Sequence, residues 1–187
     1  MKPSACVLGF APHSGWTVVV VVGGTRAAPR LVLRERIELA DPGLAGSKQP
    51  YHYLEGRPLA EAQRRLALFQ ESATALALGA LRTLTHTLRA AGEEARAAGI
   101  IASSGRVGAT LEATLASHAL IHTADGNHFR DALGRACESA GLAVTRIPQR
   151  ALREHAAAAR LAALGRGLGA PWGADQKSAA LLAWLLL

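Results

Sequence analysis

His118, His122 and Asp125 fall at i, i+4 and i+7, so on a continuous helix they share one face. Two imidazoles and a carboxylate so placed form a donor set for a divalent metal ion. No Glu follows His118 directly, so the zinc-protease pattern is not the one written here. The same residues also suit a partly buried helix whose imidazoles hydrogen-bond to backbone while Asp125 and Arg130 face solvent. His13 and Ser14 pair a base with a hydroxyl, although adjacent residues rarely reach hydrogen-bond geometry and a turn between strands accounts for them equally well. His52, between Tyr51 and Tyr53, either lines a ligand cleft or helps to pin a long connection.

A glycine-rich stretch over 165–173 carries Trp172 and leads into a helix opened by Asp175, where backbone amides suit an anion. It lacks the Lys-Ser/Thr pair of a Walker sequence at the required spacing. Docking of Trp172 onto the core is its other use.

These residues need elements to hold them. Residues 5–10, 16–22 and 31–39 read as three antiparallel strands. The middle one is almost all Val and is expected to be buried on both faces; the third alternates charged and apolar residues as an edge strand does. Residues 41–56 read as a Pro/Gly-rich connection. Pro58 then opens a helical stripe over 59–88 that ends at Gly92, with a break expected near Gly79. A short strand over 99–102 is released into Ser103, Ser104 and Gly105. A second stripe over 111–140 predicts one helix ended by Gly141; 119–124 alone is apolar enough to be a strand instead. Residues 142–147 form a last strand, 151–164 a helix, and Asp175 caps a terminal helix. The chain reads as a single domain over 1–187, without repeats or a linker.

Half of the 187 residues are hydrophobic, which argues against disorder. Aromatic residues are few, so base stacking along a single strand is disfavoured. Lys and Arg number 21 against 14 Asp and Glu, a net charge of +7 that fits a nucleic-acid or other polyanionic partner. The arginines are scattered, however, and a solvated surface explains them too. Cys6 and Cys137 alone make neither a disulfide framework nor a paired-thiol metal signature, and they fit a reducing cytoplasm. The β-branched run over 18–22 is not a signal-peptide core, and the apolar run over 179–187 is far short of the roughly 20 residues that cross a bilayer, so no membrane partner is expected.

A three-strand meander followed by helix, strand, helix, strand and helix resembles the ribonuclease H-like superfamily, which includes the RuvC-type Holliday-junction resolvases. The resemblance implies an α/β fold, a five-stranded mixed sheet in the order 3-2-1-4-5 flanked by long helices. It also implies an active site at the shared edge of the first and fourth strands. Val7-Leu8-Gly9-Phe10-Ala11-Pro12 looks like the resolvase first strand, whose catalytic aspartate immediately precedes the proline; here that place holds Ala11. The fourth-strand carboxylate would fall within 100–103, where none occurs, and Asp175 alone stands where a third could be. The segments over 13–16, 49–52, 117–123 and 171–177 also resemble those of a bacterial family that supplies no activity to carry over.

Two-metal hydrolysis needs several hard oxygen ligands, which one aspartate does not supply. The resemblance therefore implies a catalytically degenerate protein that binds nucleic acid or a phosphorylated ligand. Its site residues would be His13 and Asp175 in the catalytic position, with Ser14, His52, Ser103, Ser104 and Trp172 around the ligand. The enzymatic alternative is a divergent metal-dependent nuclease or phosphoesterase using His118, His122, Asp125 and Asp175. A structural, homo-oligomeric module is the third reading, suggested by the long helix over 59–88. No cofactor is specified beyond a divalent metal in the enzymatic case.

Overall fold

Gly15, at a φ of 86°, lets the chain reverse tightly after β1 (Ser4–His13) into β2 (Trp16–Gly24), so that His13 pairs with Trp16. β3 (Pro29–Glu38) returns antiparallel to β2 and completes the meander. The β-branched run of β2 is buried on both faces, as its composition predicts. The computed structural model describes residues 3–155, 160–165 and 169–187.

β4 (Glu93–Ala102) lies parallel to β1, with Ile100 beside Phe10, and β5 (Ala143–Pro148) lies parallel to β4. The five-stranded sheet has the order β3-β2-β1-β4-β5, which the order of elements predicts when both crossovers are right-handed. β4 begins at Glu93 rather than at residue 99. Its opening residues favour a helix by propensity, but pairing with β1 from Ser4 onward overrides this, and buried Glu93 is held by Arg30 at 2.6 Å.

Seven helices surround the sheet among the described residues: α1 (Pro50–Leu54), α2 (Leu59–Ala90), α3 (Leu111–Leu115), α4 (His118–Ser139), α5 (Gln149–Arg153), α6 (Leu161–Leu164) and α7 (Ala174–Leu185). α2 runs unbroken through Gly79, contrary to the expected break. A Cβ there would meet nothing within 4 Å, so the glycine costs only its low propensity, about 1 kcal/mol. The single helix expected over 111–140 is two, because Thr110 caps α3 by accepting from the Ala113 amide at 3.1 Å and Ser117 restarts the chain in an extended conformation. Residues 119–124 are helical. α1 arises inside the stretch read as a loop, with Pro50 in its first turn. Where one helix is expected over 151–164, α5 and α6 are seen, and 156–159 lie outside the described residues; so do 166–168 of the glycine-rich stretch.

The sheet separates two cores. On one face Leu8, Phe10 and Ile100 pack with Leu81, Leu84, Phe129 and Leu133 of α2 and α4. On the other, Val7, Ala11, Val20 and Ile101 pack with Ala179, Leu182 and Ala183 of α7. A third cluster, Leu54, Ala62, Leu66 and Phe69, joins α1 to the start of α2, with Leu111 and Leu115 of α3 packed against it. No helix among the described residues is long and apolar enough to cross a membrane.

α7 sits directly on the strands because two glycines let it. A Cβ on Gly9 would lie 1.9 Å from the Ala179 carbonyl oxygen, and one on Gly99 would lie 2.5 Å from Leu182 Cγ. The Gly9 neighbour is backbone and cannot rotate away. Gly9→Ala is expected to lower stability by about 1–3 kcal/mol, the usual cost of overpacking, read as a fall in the urea midpoint. An unchanged midpoint would mean that α7 does not press on β1.

Candidate functional site

β1 and β4 end side by side, and the guanidinium of Arg130 lies across their ends. Its Nε donates to the Ile101 carbonyl at 2.8 Å, Nη1 to Gly126 at 2.7 Å and Nη2 to Pro12 at 3.3 Å. Burial, with Arg146 close by, lowers its pKa from the usual arginine value, while Asp131 opposes the shift. On the α7 side of the same edge, Ala11 and Ile101 are buried in the apolar cluster. The carboxylate there is Asp175, in the first turn of α7, with His13 Nε2 at 3.0 Å. His13 in turn stacks on Trp16 at 4.2 Å, and Arg36 covers that indole at 4.0 Å.

Beside Arg130 opens a cleft of about 490 Å³ whose polar lining includes Ser103, Asn127, His128, Arg135 and Arg146. Arg146 Nη1 donates to Asp131 at 2.8 Å, and Arg135 Nε donates to Thr74 Oγ1 at 3.2 Å. His128 is 4% exposed, and neither ring nitrogen has a hydrogen-bond partner of good geometry. Burial first and the Arg135 charge second push its pKa down to about 4, against smaller opposing effects of the Phe69 backbone and Asp131.

A second constellation lies where α1 meets the start of α4. His52, His118 and His122 each offer a nitrogen within 4.8 Å of the others, and the Nε2 atoms of His118 and His122 are 3.1 Å apart. Asp125 is 2% exposed; one carboxylate oxygen accepts the Tyr51 amide at 2.7 Å, and the other makes a short hydrogen bond with His52 Nδ1. Two elements are thereby tied together, and the carboxylate faces His52 rather than standing as a third donor beside His118 and His122.

No protein-family model and no curated protein matches the sequence. Among solved structures, Thermus thermophilus RuvC in complex with a Holliday junction substrate aligns with a TM-score of 0.52 at 18% identity, over 96% of this chain and 90% of that chain. A Thermus thermophilus RuvC structure gives 0.51 at 19% identity, over 96% and 91% of the two chains. The fold is ribonuclease H-like. This likeness concerns the fold, because identity at that level leaves the site chemistry to be argued from the residues.

Within the ribonuclease H-like fold, the residues expected around one edge separate. His13 and Asp175 meet at the α7 side, with Ser14 in the adjoining turn. Ser103 lies on the cleft side, where its Oγ accepts the Gly105 amide at 3.2 Å, and Ser104 is exposed. Trp172 docks against the α7 core and donates to the Leu161 carbonyl at 3.3 Å. His52 belongs to the histidine group instead. Sequence reasoning placed Arg130 on the solvent face, whereas it is turned to three backbone carbonyls, and passed over His128; both lie on α4. The sequence carried little signal for either: both flank Phe129 of the apolar stripe, but Asn127 and Asp131 beside them mark that side of the helix as polar. Cys6 and Cys137 carry no nucleophile, since burial, aided by Glu93 in one case and Glu138 in the other, raises their thiols to about 11 and about 12.

Proposed function

We propose that this ribonuclease H-like chain binds nucleic acid or another phosphorylated ligand and does not cleave it by two-metal hydrolysis. The observation that carries this reading is the Arg130 guanidinium across the ends of β1 and β4. Two divalent ions about 3.5–4 Å apart require clustered carboxylates, and a fixed guanidinium repels them while attracting phosphate. Ala11 and Ile101, sealed under α7, add no oxygen ligand at that edge. Arg135 and Arg146 add positive charge along the cleft, partly offset by Asp131, which also lines it and pairs with Arg146. The Holliday junction bound by Thermus thermophilus RuvC makes DNA the first ligand to test.

Fluorescence anisotropy with labelled junction, duplex and single-stranded DNA should show affinity falling steeply with salt. Each phosphate contact releases counterion with a logarithmic slope of roughly −0.7 to −0.9. The double variant Arg135→Glu, Arg146→Glu should bind at least about 10-fold more weakly with a shallower slope, whereas Arg150→Glu, Arg153→Glu should bind nearly as the parent does. Unaltered binding in the first variant, or none at low salt, would overturn the cleft as the binding surface. Magnesium-dependent junction cleavage should be absent; robust turnover lost on Asp175→Ala would refute the non-cleaving reading.

A further inference from the structure

We propose that His52, His118 and His122 form a site for one zinc-class divalent cation, bound by three imidazoles with a fourth position open to solvent. This inference is independent of the nucleic-acid reading, for it concerns other residues and another face of α4.

Geometry is the first support. In a tetrahedral site with Zn–N distances of about 2.05 Å, two ligand nitrogens lie about 3.3 Å apart. The Nε2 atoms of His118 and His122 are 3.1 Å apart before any ion is considered, and the His52 nitrogen completes a group spanning at most 4.8 Å. Modest side-chain rotation closes the remaining gap. The i, i+4 spacing supplies two ligands from one helical face, and α1 brings the third across from a different element.

Asp125 is the second support. With the carboxylate ionised and the ring neutral, its contact with His52 Nδ1 puts the proton on that nitrogen and leaves the Nε2 lone pair for a cation. A buried carboxylate behind a ligating imidazole fixes the ring, raises its basicity and contributes negative charge near the ion. That charge matters here, because His118 opens α4 and the positive end of the helix dipole disfavours a cation. The Tyr51 amide, donating to the other oxygen, holds the carboxylate in place.

Donor type sets the ion. Imidazole nitrogens suit zinc, cobalt, nickel and copper, whereas magnesium and calcium demand oxygen. Three protein ligands leave a place for water, and His118 and His122 are exposed, so solvent reaches the ion. The competing explanation is that Asp125 and His52 merely pin α1 to α4. In that case His118 and His122 would bind metal no better than other exposed histidines.

The test uses the full chain, stripped with a chelator and titrated with zinc chloride by calorimetry. Cobalt chloride provides a visible spectrum that reports four-coordinate geometry. We expect one equivalent bound, with intense tetrahedral cobalt bands. His122→Gln and His118→Gln, both at exposed positions, should each weaken binding by at least about 100-fold, and Asp125→Asn by about 10–100-fold. His86→Gln, at an exposed site on α2, should leave it unchanged. Circular dichroism establishes that each variant is folded. Substoichiometric zinc, octahedral cobalt bands, or equal affinity in His122→Gln and the parent would each overturn the proposal.

Discussion

Arg130→Ala should lower the stability of the protein by about 2–4 kcal/mol, one of the larger losses available from a single side chain. The guanidinium satisfies carbonyls from β1, β4 and α4 at once: Pro12, Ile101 and Gly126. Hydrogen bonds to a charged donor contribute roughly 1.5–3 kcal/mol each, and water entering the edge would replace part of what is lost. Arg130→Lys should recover less than half of the loss, since an ammonium is a point donor and cannot span acceptors on three elements. Urea midpoints measured at neutral pH decide this. A loss below about 0.5 kcal/mol in the Ala variant would mean that Arg130 is a solvated surface residue, and would also weaken its use as a phosphate site.

The sheet was legible because its strands are marked by composition. The Val run of β2 has no helical period and requires burial on both faces, and the alternation in β3 requires an edge. With two helical stripes after the meander, the rule of right-handed crossovers leaves few orders, and 3-2-1-4-5 is the one formed. Glu93, Glu94 and Arg96 hid the start of β4, because only the neighbouring β1 makes an extended conformation favourable there. α1 was hidden in the same way, being too short to show a period and stabilised by its packing on α2 and α3.

The site was legible only in pieces. His118 and His122 stand out by spacing, but nothing local connects them with His52, which lies far back in the chain and reaches them through the tertiary fold. Asp125 shows how spacing alone misleads: it lies on the same helical face as the two histidines, yet its carboxylate turns to the Tyr51 amide and His52. That Ala11 stands before Pro12, where the resemblance to resolvases implies an aspartate, was visible in the strand itself. What fills the corresponding edge was not, because Arg130 enters from α4 and makes its contacts with backbone oxygens that no sequence pattern records.

Stability should fall by about 2–3 kcal/mol between pH 7.5 and pH 4.5 through one residue, His128. Burial lowers its pKa from 6.5 to about 4 in the folded chain, with Arg135 reinforcing the shift. The unfolded chain takes up this proton below about pH 6.5, whereas the native chain resists until about pH 4. Between those values the unfolded state binds more protons, so acid favours it; the contribution is intact above pH 6.5 and is lost as pH falls toward 4. Each pKa unit corresponds to about 1.4 kcal/mol, which sets the size of the effect. Carboxylates that protonate in the same range add their own losses, so the readout is a difference: urea unfolding of the parent and of His128→Gln at both pH values. His128→Gln lacks the titrating group, and its stability should decline by about 2–3 kcal/mol less across the interval. Parallel declines in the two proteins would mean that the imidazole protonates as readily in the folded chain as in the unfolded one, and the cleft that His128 lines would then have to hydrate a ring that is 4% exposed.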